Sequence, residues 1–123
     1  MPDAGRVGYS QISVTPPGPL AFVSGQVPWQ RDGGAVPADL DEQTDSVIEN
    51  LSHALAALDA GPEQIAQMRI YMTELRPETQ GIVMTRLAAF LNGAQPSLTG
   101  IGVSVLAEPE LQLEIEMIVS LPA

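Results

Sequence analysis

Apolar residues recur along this chain with two different periods. In LQLEIEMIVS (111–120), Leu113, Ile115 and Met117 alternate with Gln112, Glu114 and Glu116, the spacing of a strand with one buried face. AQMRIYMTE (66–74) alternates in the same way, with Met68, Ile70 and Met72 on one face and Gln67, Arg69, Tyr71 and Thr73 on the other. From Asp41 to Leu58 the period becomes helical: Val47, Ile48, Leu51, Ala54, Leu55 and Leu58 fall on one stripe. Asp39 and Asp41 stand where a cap and a first-turn acid favour a helix start, and DAGP (59–62) stops the helix. A second helix is predicted over Pro77–Leu91, with Val83, Met84, Leu87, Phe90 and Leu91 inward and NGAQP closing it.

The remaining segments read as strands and turns. GYSQISVT (8–15) carries β-branched residues and stops at PPGP. LAFVSGQVP (20–28) is a nearly continuous apolar strand interrupted by Ser24 and Gly25, where a glycine signals a bulge or a close backbone approach to a ligand. Asp-Gly-Gly in WQRDGGAVPADL marks a turn, with GAV as a short strand. LTGIGVSVL (98–106) and LQLEIEMIVS are joined by AEPE and are predicted to form an antiparallel pair. The order is strand-strand-helix-strand-helix-strand-strand over residues 1–123, one domain of α+β class with two helices on one face of a mixed sheet. The other sheet face must be solvated or covered by another subunit.

Charge narrows the partners. Five arginines, no lysine and fifteen acids give a formal net charge of −10. Nucleic acid and anionic membrane surfaces are disfavoured, because affinity for both comes from cationic groups. No cysteine is present, so disulfides, thiol nucleophiles and thiolate metal sites are excluded. MPDAGRVGYSQ has no apolar signal core, and no apolar run approaches the ~20 residues of a membrane span, which makes a cytoplasmic location the expectation.

Candidate chemistry is sparse. His53 is the single histidine and faces away from the apolar stripe of its helix, so it reads as a surface residue, and neither a transition-metal site nor a histidine triad has material to build from. Arg69 has two readings: pairing with an acid across the sheet, which is preferred, or holding a substrate carboxylate. Glu114 and Glu116 share one strand face, and on local grounds both read as solvated.

Taken together, GYSQ (8–11), FVSGQVP (22–28), EQT (42–44), ENL (49–51), MTEL (72–75), QP (95–96) and LEIEMIV (113–119) resemble the RidA family, also called YjgF or the L-PSP endoribonuclease family. The resemblance implies a chorismate-mutase-like fold in a homotrimer with small-molecule clefts between subunits. In the deaminase branch these clefts hydrolyse 2-imino acids or enamines to 2-keto acids and ammonia, without a cofactor. Carried over residue by residue, Tyr9 matches the family's G-x-Y-x-Q tyrosine, Ser24 and Gly25 its S-G-Q segment, and Glu114 the glutamate associated with positioning the attacking water.

The departures point away from the usual substrate. Where the deaminases carry P-A-R-S, this chain has PSLT, which puts Leu98 at the arginine position that clamps the substrate carboxylate and Thr99 at the serine position. Gly100 corresponds to the following cysteine or threonine, and Met84 aligns with the family's cleft asparagine. Leucine cannot bind a carboxylate, and losing a desolvated charged hydrogen bond costs several kcal/mol. Two functions stay open: a divergent deaminase or hydrolase of imines or enamines with Glu114 as base toward water, and a trimer that binds a metabolite without chemistry. The ribonuclease role in the family's older name ranks last for so acidic a chain.

Overall fold

In a computed structural model that describes Gly5 and residues 8–123, four strands and two helices form two layers. Strand β1 (Leu20–Gln26) leads to helix α1 (Leu40–Ala57). A short 3-10 turn (Pro62–Gln64) then enters β2 (Ile65–Met72), followed by helix α2 (Pro77–Leu91), β3 (Ser97–Gly102) and β4 (Leu113–Ser120). The sheet order is β1-β4-β2-β3, with β4 antiparallel to both neighbours and β2 parallel to β3. Strands β1 and β2 therefore run the same way and leave a gap that β4, the last strand made, fills.

Both helices cover one face. Leu113, Ile115, Met117 and Val119 of β4 and Met68, Ile70 and Met72 of β2 are buried against Val47, Leu51 and Leu55 of α1 and Val83, Leu87 and Leu91 of α2. These are the residues that the two periods select. Asp39 caps α1 by accepting a hydrogen bond from the Glu42 amide at 2.8 Å. Helix α2 begins with proline at its first position and ends at Asn92, whose left-handed backbone (φ 48°) closes it.

The structure corrects the strand plan in four places. Residues 8–15 do not form a strand; Ser10 makes one isolated parallel bridge to Ser97, and Ile12 and Val14 are exposed. The segment does not follow the free edge of β3 beyond its first residue but turns across the strand ends, where the Ser10 amide donates to the Pro96 carbonyl and the Ser13 hydroxyl accepts from the Ser97 amide. Nor do the strands at 97–102 and 113–120 pair with each other. Strand β2 lies between them, because the α2 crossover places β3 parallel beside β2. GAV (34–36) is not a strand, and the strand expected over 20–28 ends at Gln26.

Two of the motif residues turn out to hold the loops. Gln43, fully buried, donates from Nε2 to the Pro37 and Glu110 carbonyls (2.8 Å each) and accepts from the Gln112 amide at 2.9 Å. Asn50 donates to the Val27 and Trp29 carbonyls, both at 3.0 Å, and so fixes the chain leaving β1. Gln43→Leu would leave all three of its backbone partners unpaired in a dry site. It is expected to lower the unfolding free energy by at least about 2 kcal/mol in a urea titration with an unchanged slope.

Candidate functional site

Alternation divides the residues of interest between the two faces of the sheet. The register aligns Glu114 with Tyr71 and Glu116 with Arg69, on the face away from the helices. Leu98 aligns with Met68, and Gly100 with Ile70, on the helix side. Within one chain, Glu114 and Leu98 therefore lie on opposite faces.

On the helix side, between the β2–β3 edge and α2, a groove of about 550 Å³ gathers Tyr9, Met84, Leu98 and Gly100. Its walls are completed by Ile70 and Met72 from β2, Leu75 from the following turn, and Gln80 and Val83 from α2. Helix α2 supplies Gln80, Val83 and Met84 because residues three and four apart share a helix face. None of the described residues lining the groove is charged.

On the opposite face, β1 carries a bulge. Val23 pairs with Met117 and Gln26 with Ile115, so Ser24 and Gly25 both stand against the single position of Glu116. Gly25 is needed for space: a Cβ there would lie 2.5 Å from Oε2 of Glu114. The Glu114 side chain thus folds onto the bare backbone of the bulge, and its carboxylate makes no hydrogen bond to a described residue. Ser24 is exposed and lines a hollow of about 400 Å³ with Phe22, Gln67, Arg69 and Glu116. Thr99 aligns with Arg69 and is exposed on this same face, away from the groove that holds Leu98 and Gly100.

Glu116 is occupied. Its Oε1 accepts from the Tyr71 hydroxyl at 2.6 Å and from Nη1 of Arg69 at 3.3 Å. The cross-sheet ion pair preferred for Arg69 is therefore the arrangement present. Tyr71 was not singled out by its sequence position; its role shows only in its place across from Glu114 and its hydrogen bond to Glu116 on the same face. His53 is exposed, 3.9 Å from Glu49 on the same helix. Gln80 and the apolar groove walls were also missed, although Gln80 sits one turn before Met84.

The open face is partly apolar. Phe22 is 73% exposed and Leu20 44% exposed, with half-buried Ile118 beside Phe22 on β4. No helix among the described residues is long and apolar enough to cross a membrane.

The chain matches the family described as Endoribonuclease L-PSP over residues 2–121, and it belongs to that family, the RidA/YjgF family. It is 30% identical to the RutC family protein YjgH of Escherichia coli over 105 residues, covering 85% of this chain and 78% of YjgH. Among solved structures, the Rid family protein YyfB of Yersinia pestis is 32% identical with a TM-score of 0.90, covering 98% of this chain and 92% of YyfB. A second Rid family protein of the same organism, YyfA, is 27% identical with a TM-score of 0.76, covering 92% of this chain and 87% of its own. The mixed sheet with two helices is the fold of these relatives.

The hydrogen bond that Tyr71 donates to Glu116 raises its phenol pKa above the ordinary 10.0; desolvation and the Glu116 charge add to this, and Arg69 opposes it. A raised value in the folded state means that this bond supports the fold fully below pH 10, and its contribution is lost as pH rises through the raised value. Alkaline titration followed by phenolate absorbance should show Tyr71 ionising above pH 10. Glu116→Gln should move that transition down toward the ordinary value, while Glu114→Gln should leave it nearly in place.

Proposed function

We propose that this chain forms a homotrimer with ligand clefts between subunits, and that each cleft hydrolyses an uncharged imine or enamine. The observation that carries the reading is the division of the residues expected at the site. One half, Tyr9, Met84, Leu98 and Gly100, lines the helix-side groove, while the other half, Ser24, Gly25 and Glu114, lies at the bulge on the opposite face. Two halves on opposite faces of one sheet meet only when a neighbouring copy brings its bulge to this copy's groove. Such a head-to-tail contact builds a ring when its rotation closes, and three copies are the ring proposed. The exposed Phe22 and Leu20 give the open face apolar surface to bury in that assembly.

In the cleft, Glu114 acts as the base toward water. The Gly25 backbone leaves it room, and no hydrogen bond to a described residue ties up its carboxylate. Leu98, standing where the family's deaminases carry arginine, removes the clamp for a substrate carboxylate. The family's 2-imino acids are therefore poor substrates, and a neutral ligand suits the apolar walls. Leu98 also favours a second reading, a trimer that binds a metabolite without turning it over. The ribonuclease named in the family description is poorly served by a net charge of −10 and an exposed, lone His53.

Light scattering of the purified protein should give three chain masses; a monomer would remove the shared cleft. Ammonia release from a neutral imine should exceed that from 2-iminopropanoate by about tenfold or more, the loss expected when a charged hydrogen bond is missing. Glu114→Ala should abolish the release, and Gly25→Ala should cut it severely without unfolding the protein, because the displaced atoms are the end of a flexible side chain. Binding of the neutral imine with no ammonia release would establish the second reading.

A further inference from the structure

Resting on the cleft reading above, we infer that Gln80 is the specificity residue of the groove, and that the ligand it selects is a 2-imino amide with a bulky apolar side chain. Among the described residues, Tyr9 and Gln80 bring the only hydroxyl and carboxamide to a wall otherwise built from apolar side chains and Gly100. Among the described residues, neither side chain has a hydrogen-bond partner in the protein. Gln80 projects from the same helix face as Met84, one turn earlier, and stands exposed at the groove's rim.

The charge of the ligand follows by elimination. Arg86 is held by Asp41 and Asp45 at 3.1 Å each, and Arg76 lies 3.4 Å from Glu74. Arg69 pairs with Glu116 on the opposite face, and Arg31 lies in a separate hollow beside α1. No described arginine serves the groove, and a chain of net charge −10 repels anions at long range. A carboxylate in this groove would be buried without a countercharge.

A carboxamide is the neutral group that Gln80 matches. Its own amide offers two donors and an acceptor, so amide meets amide through a reciprocal pair of N–H···O bonds. A carboxylate offers acceptors alone and leaves the Gln80 oxygen facing negative charge. The volume of about 550 Å³ and the walls of Ile70, Met72, Val83 and Leu98 leave space for a benzyl-sized substituent beside the amide. In the reaction, water oxygen bonds to the imine carbon, the C=N π electrons move onto nitrogen, and one water proton passes to the Glu114 carboxylate of the neighbouring copy. Glu114 gives that proton to nitrogen, the remaining hydroxyl proton follows as the C–N bond breaks and the C=O bond forms, and ammonia leaves with the 2-oxo amide; no oxidant or reductant takes part.

The test is equilibrium binding of a matched pair of product analogues, 2-oxo-3-phenylpropanamide and 2-oxo-3-phenylpropanoate, by calorimetry on the full-length protein. The amide should bind at least about tenfold tighter than the carboxylate. Gln80→Leu should erase that preference, and Leu98→Arg should reverse it. Equal or weaker binding of the amide by the unaltered protein, or a preference that survives Gln80→Leu, overturns the inference. Since binding is read without turnover, a protein that shows the Gln80-dependent preference yet releases no ammonia supports this inference while removing the hydrolase reading.

Discussion

Strand β4 is paired on both sides, and the rest of the molecule depends on which way its side chains face. Leu113, Ile115, Met117 and Val119 are sealed beneath the helices, so Glu114 and Glu116 have to emerge on the other face. A slip of one residue would exchange the sets and bury two carboxylates in the core, a cost no local adjustment could offset. The register is therefore strongly fixed, and through it the positions of both glutamates. Each is then accommodated differently. Glu116 meets Tyr71 and Arg69 on β2, whereas Glu114 meets the bulged backbone of β1, where the missing Cβ of Gly25 gives it space.

Sequence pattern revealed the parts of this fold that depend on near neighbours. The span of α2 coincides with the expected Pro77–Leu91, and α1 differs from expectation by one residue at each end, because caps and apolar stripes are local signals. Pairing is not local. The AEPE turn between two strand-like segments reads as a hairpin, yet ten residues separate β3 from β4, and β2 takes the position between them. The β-branched residues of 8–15 suggest a strand, but after a single bridge to Ser97 this segment leaves the edge of β3 and crosses the strand ends. Local pattern identifies a strand's faces, while the choice of partner is made by long-range packing.

The same limit applies to the site. Tyr9, Met84, Leu98 and Gly100 are dispersed in sequence, and only the β2–α2–β3 crossover brings them to one groove. Family resemblance named them, and geometry adds that Glu114 belongs to another face. Of the motif residues, Gln43 and Asn50 turned out to fasten loops to α1 through backbone carbonyls. A motif match does not reveal whether a polar residue serves the fold or a ligand; its hydrogen-bond partners do. Gln80 presents the opposite case, since it belongs to no motif and lines the groove with its amide unpaired among the described residues.

Leu98 and Met84 are best understood together. Both line the groove, and both pack against the core formed beneath α2. An arginine at position 98 would place a guanidinium among Ile70, Met72 and Val83 with no carboxylate among the described residues of the wall to pair with it. Such a charge is tolerable only while an anionic ligand is bound. With leucine there, methionine at 84 is the compatible choice, because a polar side chain at that point would lose its water without gaining a partner. The two apolar residues thus describe one environment. In the proposed assembly, Glu114 of a neighbouring copy would face walls that carry no charge among the described residues, surroundings that favour a ligand with no charge of its own.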